Sequence, residues 1–348
     1  MTCSNATLLA TDNITAVGLQ TVSPCSVVSP KEEKIFTLSL YSFLLPACCL
    51  GNIFIIFMVF KRQELRKTVN YFIVNMAVSD LAFSLTMIPI QLTGFATGSH
   101  HWRVGGTVGL ILCKFYAFTP RLSYLISSQS LVWIAIDRFV AILFPMKIGL
   151  ISTKIRITAI ASSWIVAFAL NSPLLVTWTL SYNGNTLYCA PVNRKSVFPN
   201  QKADSVYFWL VLTLCTIVPL SLMTFLYTAI AVALKRQSKA LVHMASNLQK
   251  HSLRKQKRAV QMCFAIMIAY YICALPHGFL YFVYYWSTSC VFRKTFSITA
   301  EFLLFSSAAV NPIISLSFVE SYRRGLKNIV CSCGRIRRNK TTLNGIKY

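Results

Sequence analysis

Long apolar runs broken by short polar segments dominate the pattern of this chain. Ile35 to Phe60, Ile157 to Asn193 and Ser205 to Leu234 contain no Asp, Glu, Lys or Arg. Ala259 to Phe292 adds only His277 to that tally. Three further runs carry one or two charges: Thr68 to Ser99 has Asp80, Val104 to Ile136 has Lys114 and Arg121, and Thr295 to Val319 has Glu301. A bilayer core of about 30 Å takes roughly 20 helical residues. Seven spans are therefore expected, at about 35–60, 69–95, 108–138, 156–179, 205–234, 259–285 and 296–318. The runs are apolar all round, whereas barrel strands alternate. After the last run, Tyr322 to Val330 reads as a basic amphipathic helix. The expected fold is an all-α membrane protein, a seven-helix bundle with tails at 1–34 and 319–348.

Composition agrees: 55% of residues are hydrophobic and 12% charged, and mean hydropathy is +0.58. A soluble fold has about a quarter of its residues charged to cover its surface. The 34 Lys and Arg against 9 Asp and Glu are confined to segments between apolar runs. That placement is unlike the basic face of a nucleic-acid binder. One side of the bundle, formed by 61–67, 138–156, 235–258 and 323–347, holds 24 of the 34 basic residues. That side is expected in the cytosol, which leaves the N-terminus outside. The first 30 residues lack the charge and apolar core of a cleaved leader, so none is expected. Asn5-Ala-Thr and Asn13-Ile-Thr are then glycosylation sites on the outer tail.

Ionisable groups inside spans carry a functional hypothesis by default. Asp80 lies about 18 Å into its span at 1.5 Å per residue. Ser127, Ser307 and Asn311 fall at similar depth, and this oxygen-rich set suits a small hard cation such as sodium. A purely structural hydrogen-bonded knot is the other reading. Arg121 and Glu301 lie about 12 Å and 9 Å deep by the same count. Asp137-Arg138-Phe139 ends the third span, either as an interfacial Arg with its neutralising acid or as a switch. Pro89, Pro120, Pro173, Pro219, Pro276 and Pro312 each remove a backbone donor within a span, which suits a bundle that flexes or holds a cavity.

Cysteines divide by compartment. Cys113 and Cys189 both face the outer, oxidising side and are candidates for a disulfide. Cys3, Cys25 and Cys290 share that side, so the outer count is odd and their pairing stays open. Cys331 and Cys333 follow the amphipathic helix and are candidate palmitoylation sites. No metal-binding Cys or His pattern, phosphate-cradling loop or nucleophile motif occurs, and no enzymatic activity or resident cofactor is expected.

Taken in order, these residues resemble the rhodopsin-like family of G-protein-coupled receptors. The resemblance rests on Gly51-Asn52, Asn75, Ala77-Val-Ser-Asp80, Trp102, Cys113, Asp137-Arg138-Phe139, Ala141-Ile142, Pro145, Trp164, Pro219, Tyr227, Cys273, Pro276 and Asn311-Pro312. It covers residues 35–325 and implies ligand capture outside and nucleotide exchange on a heterotrimeric G protein inside. Asp137, Arg138, Tyr227, Asn311 and Pro312 are the implied switch residues. Three positions depart from the family: Ala274 replaces the Trp before the span-six proline, Ser315 the Tyr after Pro312, and Phe139 the Tyr after Arg138. A weakly signalling receptor is therefore an alternative.

The resemblance also narrows the ligand. The position of the amine receptors' Asp is Pro120 here, and the seventh span lacks the Lys that opsins use for retinal. Tyr182-Asn183-Gly184 with Leu187 and Tyr188 signals a hairpin in an outer loop, which the family's peptide receptors share. A neuropeptide-like ligand at the plasma membrane is expected, with a small anionic or lipid ligand as the alternative. A channel or transporter would instead track polar residues through the bundle. The expected ligand set is Arg121, Glu301, Gln91, Tyr124, His277 and Tyr281. Within it Glu301 takes a basic group and Arg121 a carboxylate or carbonyl, unless the two pair with each other.

Overall fold

The structure, a computed structural model, describes residues 31–99, 101–144, 152–244, 247–280, 283 and 290–328. Asn5, Asn13, Tyr281, Cys331 and Cys333 lie outside the described residues. Among the described residues, seven helices are long and apolar enough to cross a membrane. They are spans one to seven below: Lys34–Lys61, Thr68–Thr97, Gly106–Leu143, Thr153–Thr177, Lys202–Lys239, Leu253–Gly278 and Phe292–Phe318. Helix is the only single-segment way to satisfy every backbone amide in hydrocarbon. The chain is a multi-pass membrane protein.

Several boundaries differ from those read off the hydropathy. Span four stops at Thr177, because Trp178 turns extended and strand β1 (Thr179–Asn183) begins. The sixth helix starts at Asn247, well before the apolar run, since a helix rich in Lys and Arg need not end at the membrane surface. Span five is interrupted by a π-helical turn at Thr213–Ile217, just before Pro219. Pro46 adds a further in-span proline. Residues 320–328 form the short helix expected after span seven.

Lipid tails compete for apolar contact, so polar ties and close packing hold such bundles. Asn75 is the main one. Its amide donates to Ser130 at 3.0 Å and to Ser163 at 3.4 Å, and accepts from Trp164 Nε1 at 2.9 Å. Three spans thus meet around one span-two side chain. Asn52 ties span one to seven by donating to Cys48 O and Ala308 O, both at 2.8 Å.

At one end of the bundle, β1 pairs antiparallel with β2 (Thr186–Ala190). Asn183 faces Thr186, so Gly184 and Asn185 form the turn, with Gly184 at φ 59°. The turn is thus centred one residue later than the Asn183-Gly184 pair read from sequence. A disulfide joins Cys189 of β2 to Cys113 of span three. Trp102 N donates to Leu187 O at 2.7 Å and fastens the preceding loop to the same hairpin.

Candidate functional site

Of the expected ligand set, Arg121, Glu301, Gln91, Tyr124 and His277 are described, and they do not form one cluster. Glu301, half-buried on span seven, accepts from Gln91 of span two at 3.4 Å and from Ser297 at 3.5 Å. Nearby, the Tyr41 ring packs against Phe302 and Phe305 of span seven at 5.8 and 5.4 Å, and Tyr116 of span three lies between Trp102 and Trp178. Arg121, on span three, acts electrostatically on His277 of span six, and both side chains keep accessible surface. Glu301 thus takes its hydrogen bonds from Gln91 and Ser297 and not from Arg121. Similar depth did not bring the two charges together, because depth along a helix says nothing about rotation around it. Sequence reasoning missed Tyr41 and Tyr116, which offered no signal beyond being tyrosines in apolar runs.

Tyr124 lies below, and its hydroxyl is already engaged. It shares a hydrogen bond with Thr216 of the π-helical turn at 2.6 Å. Tyr270 of span six donates to Tyr124 O at 2.7 Å, and the two rings stack at 5.7 Å. Spans three, five and six are therefore tied at one level. Ala274, where the family has Trp, is buried one helical turn beyond Tyr270.

At mid-bundle, Asp80 is 3% exposed. It accepts from Ser123 Oγ at 3.0 Å and from Asn311 Nδ2 at 2.9 Å. Ser127, one turn further along span three, is buried with its hydroxyl lacking a hydrogen-bond partner. Ser307, expected in this group, instead donates to Leu304 O of its own helix at 2.6 Å. Ser123 takes the place assigned to it. The signal was available, since Ser123 precedes Ser127 by one helical turn and shares its face. A carboxylate, two hydroxyls and an amide oxygen within one buried knot fit a small hard cation.

At the end opposite the hairpin, Arg138 donates to Asp137 through Nε at 3.0 Å and through its terminal nitrogen. Asp137 is buried and Arg138 half-buried. Among the described residues, ion pairs join Arg138 to Asp137 and Arg324 to Glu320. No acidic residue lies between Asp204 and Glu301 in the sequence, so span six offers Arg138 no carboxylate. Tyr227 is buried on span five, its hydroxyl without a partner and its ring 5.5 Å from Phe264 of span six.

The family described as 7 transmembrane receptor (rhodopsin family) matches residues 51–314, from the Gly51-Asn52 pair to just past Asn311-Pro312. The chain belongs to this family. Members are receptors, not enzymes. Among curated proteins the receptor is similar to galanin receptor type 1 of Rattus norvegicus, with 26% identity over 85% of this chain and 82% of that protein. It is also similar to the substance-P receptor of Aquarana catesbeiana, with 28% identity over 85% of this chain and 71% of that one. The RYamide receptor of Tribolium castaneum shares 26% identity over 90% of this chain and 87% of its own. Each identity is low enough that side chains in the ligand region must be read from this receptor itself.

Proposed function

We propose that this receptor is activated by an extracellular neuropeptide-like ligand and couples to heterotrimeric G proteins at the plasma membrane. In this reading the hairpin end faces outward and the Arg138 end faces the cytosol. The similarity to receptors for galanin, substance P and RYamide supports a peptide ligand. The observation that carries it furthest is the disulfide-fastened β1–β2 hairpin above separated acidic and basic groups. A peptide offers both cationic and carbonyl groups, whereas a small anion would use only the Arg121 pole.

Ligand binding at the hairpin end bears on the Tyr124, Thr216 and Tyr270 ties between spans three, five and six. Movement of span six relative to three then releases Arg138 from Asp137 and opens the cytosolic face, where Arg138 meets a helix of the G protein. Such a shift needs only a differential affinity for the two arrangements. Asp80, Ser123, Ser127 and Asn311 would hold a sodium ion that favours the resting arrangement. Glycans at Asn5 and Asn13, and palmitoyl groups at Cys331 and Cys333 that add to membrane lipid contact, belong to the same orientation.

Cells expressing the receptor test the reading when exposed to fractionated secreted-peptide extracts, with second-messenger output recorded. A fraction whose activity disappears after protease treatment is the expected result. Activity that partitions into organic solvent and survives protease would select the lipid alternative.

A further inference from the structure

The β1–β2 hairpin is held only part of the way along its length. Cys189, paired with Leu180, is bonded to Cys113 of span three, and Leu187, paired with Tyr182, accepts from Trp102 N at 2.7 Å. Beyond Leu187 stand one further pair, Asn183 with Thr186, and the turn of Gly184 and Asn185. Asn183, Gly184 and Asn185 are all exposed. A Cβ on Gly184 would meet nothing within 4 Å, so the tip projects into open space. The Thr186 hydroxyl donates to Asn183 O at 2.8 Å, whereas the Asn183 side-chain amide makes no hydrogen bond among the described residues.

These features matter because Asn183 precedes a glycine. Asparagine is thermally labile, and its weak point is the backbone nitrogen of the residue that follows. That nitrogen can attack Cγ unless its own residue's side chain stands in the way, and Gly184 has none. In strand β1 Asn183 is extended, which keeps the nitrogen away from Cγ. Leaving that conformation costs only the last pair of the hairpin. A two-stranded hairpin is marginal where nothing anchors it, and unanchored ends open locally at little cost. Asn185 shares the exposure but precedes Thr186, whose branched side chain crowds the same approach.

We propose that Asn183 is a site of spontaneous deamidation that converts the hairpin tip as the receptor ages. The Gly184 nitrogen bonds to Asn183 Cγ and gives up its proton, the Cγ–Nδ2 bond breaks, and ammonia leaves a cyclic imide behind. Water then opens the imide. Hydrolysis at Cγ gives aspartate. Hydrolysis at the Asn183 backbone carbonyl gives isoaspartate, with the chain continuing through the former side chain. No oxidant or reductant takes part. Either product is ionised at neutral pH, so residue 183 gains a negative charge. Isoaspartate also adds a methylene to the backbone, which breaks the pairing with Thr186. The conversion goes beyond the receptor reading and does not need it.

The test uses the purified full-length receptor in nanodiscs, held for several weeks at physiological temperature in neutral and mildly alkaline buffers made with oxygen-18 water. Peptide mapping with isoaspartyl methyltransferase labelling then reads Asn183 and Asn185 separately. Heavy oxygen marks conversion during the incubation and not during digestion. Asn183 should lose its amide with time, faster at the higher pH because the attacking nitrogen must shed its proton, with isoaspartate the major product. Asn185 should stay unchanged over the same period. In Asn183→Gln, which keeps an amide but requires a larger ring, the methyl label should vanish from the tip while the Cys113–Cys189 cross-link is still recovered. An intact Asn183 at the end of the incubation, equal loss at Asn183 and Asn185, or methyl label at the tip of Asn183→Gln would overturn the proposal.

Discussion

Single residues decide more here than their number suggests, because a bundle in lipid depends on close approach and on a few polar ties. Gly51 shows the first. A Cβ there would stand 2.9 Å from the Pro312 Cβ and 3.0 Å from its Cγ, both in a rigid ring. Gly51→Ala should therefore destabilise the receptor by about 1–3 kcal/mol, seen as a lower unfolding midpoint in detergent. Gly325→Ala meets only the flexible end of Met58, and should cost less in the same assay. Asp80 shows the second. If its knot holds sodium, Asp80→Asn should abolish the effect of replacing sodium by a large organic cation on basal exchange; retained sodium sensitivity would remove the ion from the account. The odd charges Asp80, Arg121 and Glu301 were legible from sequence because apolar runs expose them. Their partners were not. Ser123 replaced Ser307, and Gln91 with Ser297 took the place of Arg121, since a span's rotation is set by packing that hydropathy does not encode.

Elements carry the ties between ends. The β1–β2 hairpin is fastened by a cross-link between residues 76 positions apart in the chain, and closing so long a loop restricts the unfolded ensemble strongly. Cys113→Ser and Cys189→Ser should each lower the unfolding midpoint to the same degree, and the double variant should be no worse. Additive losses would show that the two cysteines act separately. The π-helical turn of span five offers Thr216 to Tyr124, while Tyr270 reaches Tyr124's carbonyl from span six. In the proposed reading, where release of Arg138 from Asp137 accompanies activation, these bonds and the Arg138–Asp137 pair both belong to the resting arrangement. Tyr270→Phe keeps the ring and loses one hydrogen bond of about 1 kcal/mol. Basal nucleotide exchange should rise by roughly fivefold, with surface expression unchanged. The hairpin was legible because Asn-Gly turn chemistry between β-prone arms is local, although the turn itself falls on Gly184 and Asn185. The π turn was not, because nothing in Thr213–Ile217 differs in pattern from an ordinary apolar helix.

Seven apolar runs of the right length leave few architectures at the scale of the whole molecule, and the ordered family motifs leave one. Span ends were less legible, as a helix such as the sixth can continue into a basic segment beyond the bilayer. The charge distribution also bears on resting activity. Without an acid from 205 to 300, Arg138 relies on Asp137 beside it, so Gln256→Asp, which offers span six a carboxylate, should lower basal exchange. Unchanged exchange at matched expression would show that the missing acid has no bearing on rest. The central claim is that occupation of the hairpin end drives G-protein activation through Arg138. Its most direct test is nucleotide exchange on a purified heterotrimeric G protein by the receptor in nanodiscs, with and without an active peptide fraction. The account predicts faster exchange with peptide, and loss of that acceleration in Arg138→Ala while the peptide still binds. Full acceleration in Arg138→Ala, or none from any peptide that binds the intact receptor, would contradict it.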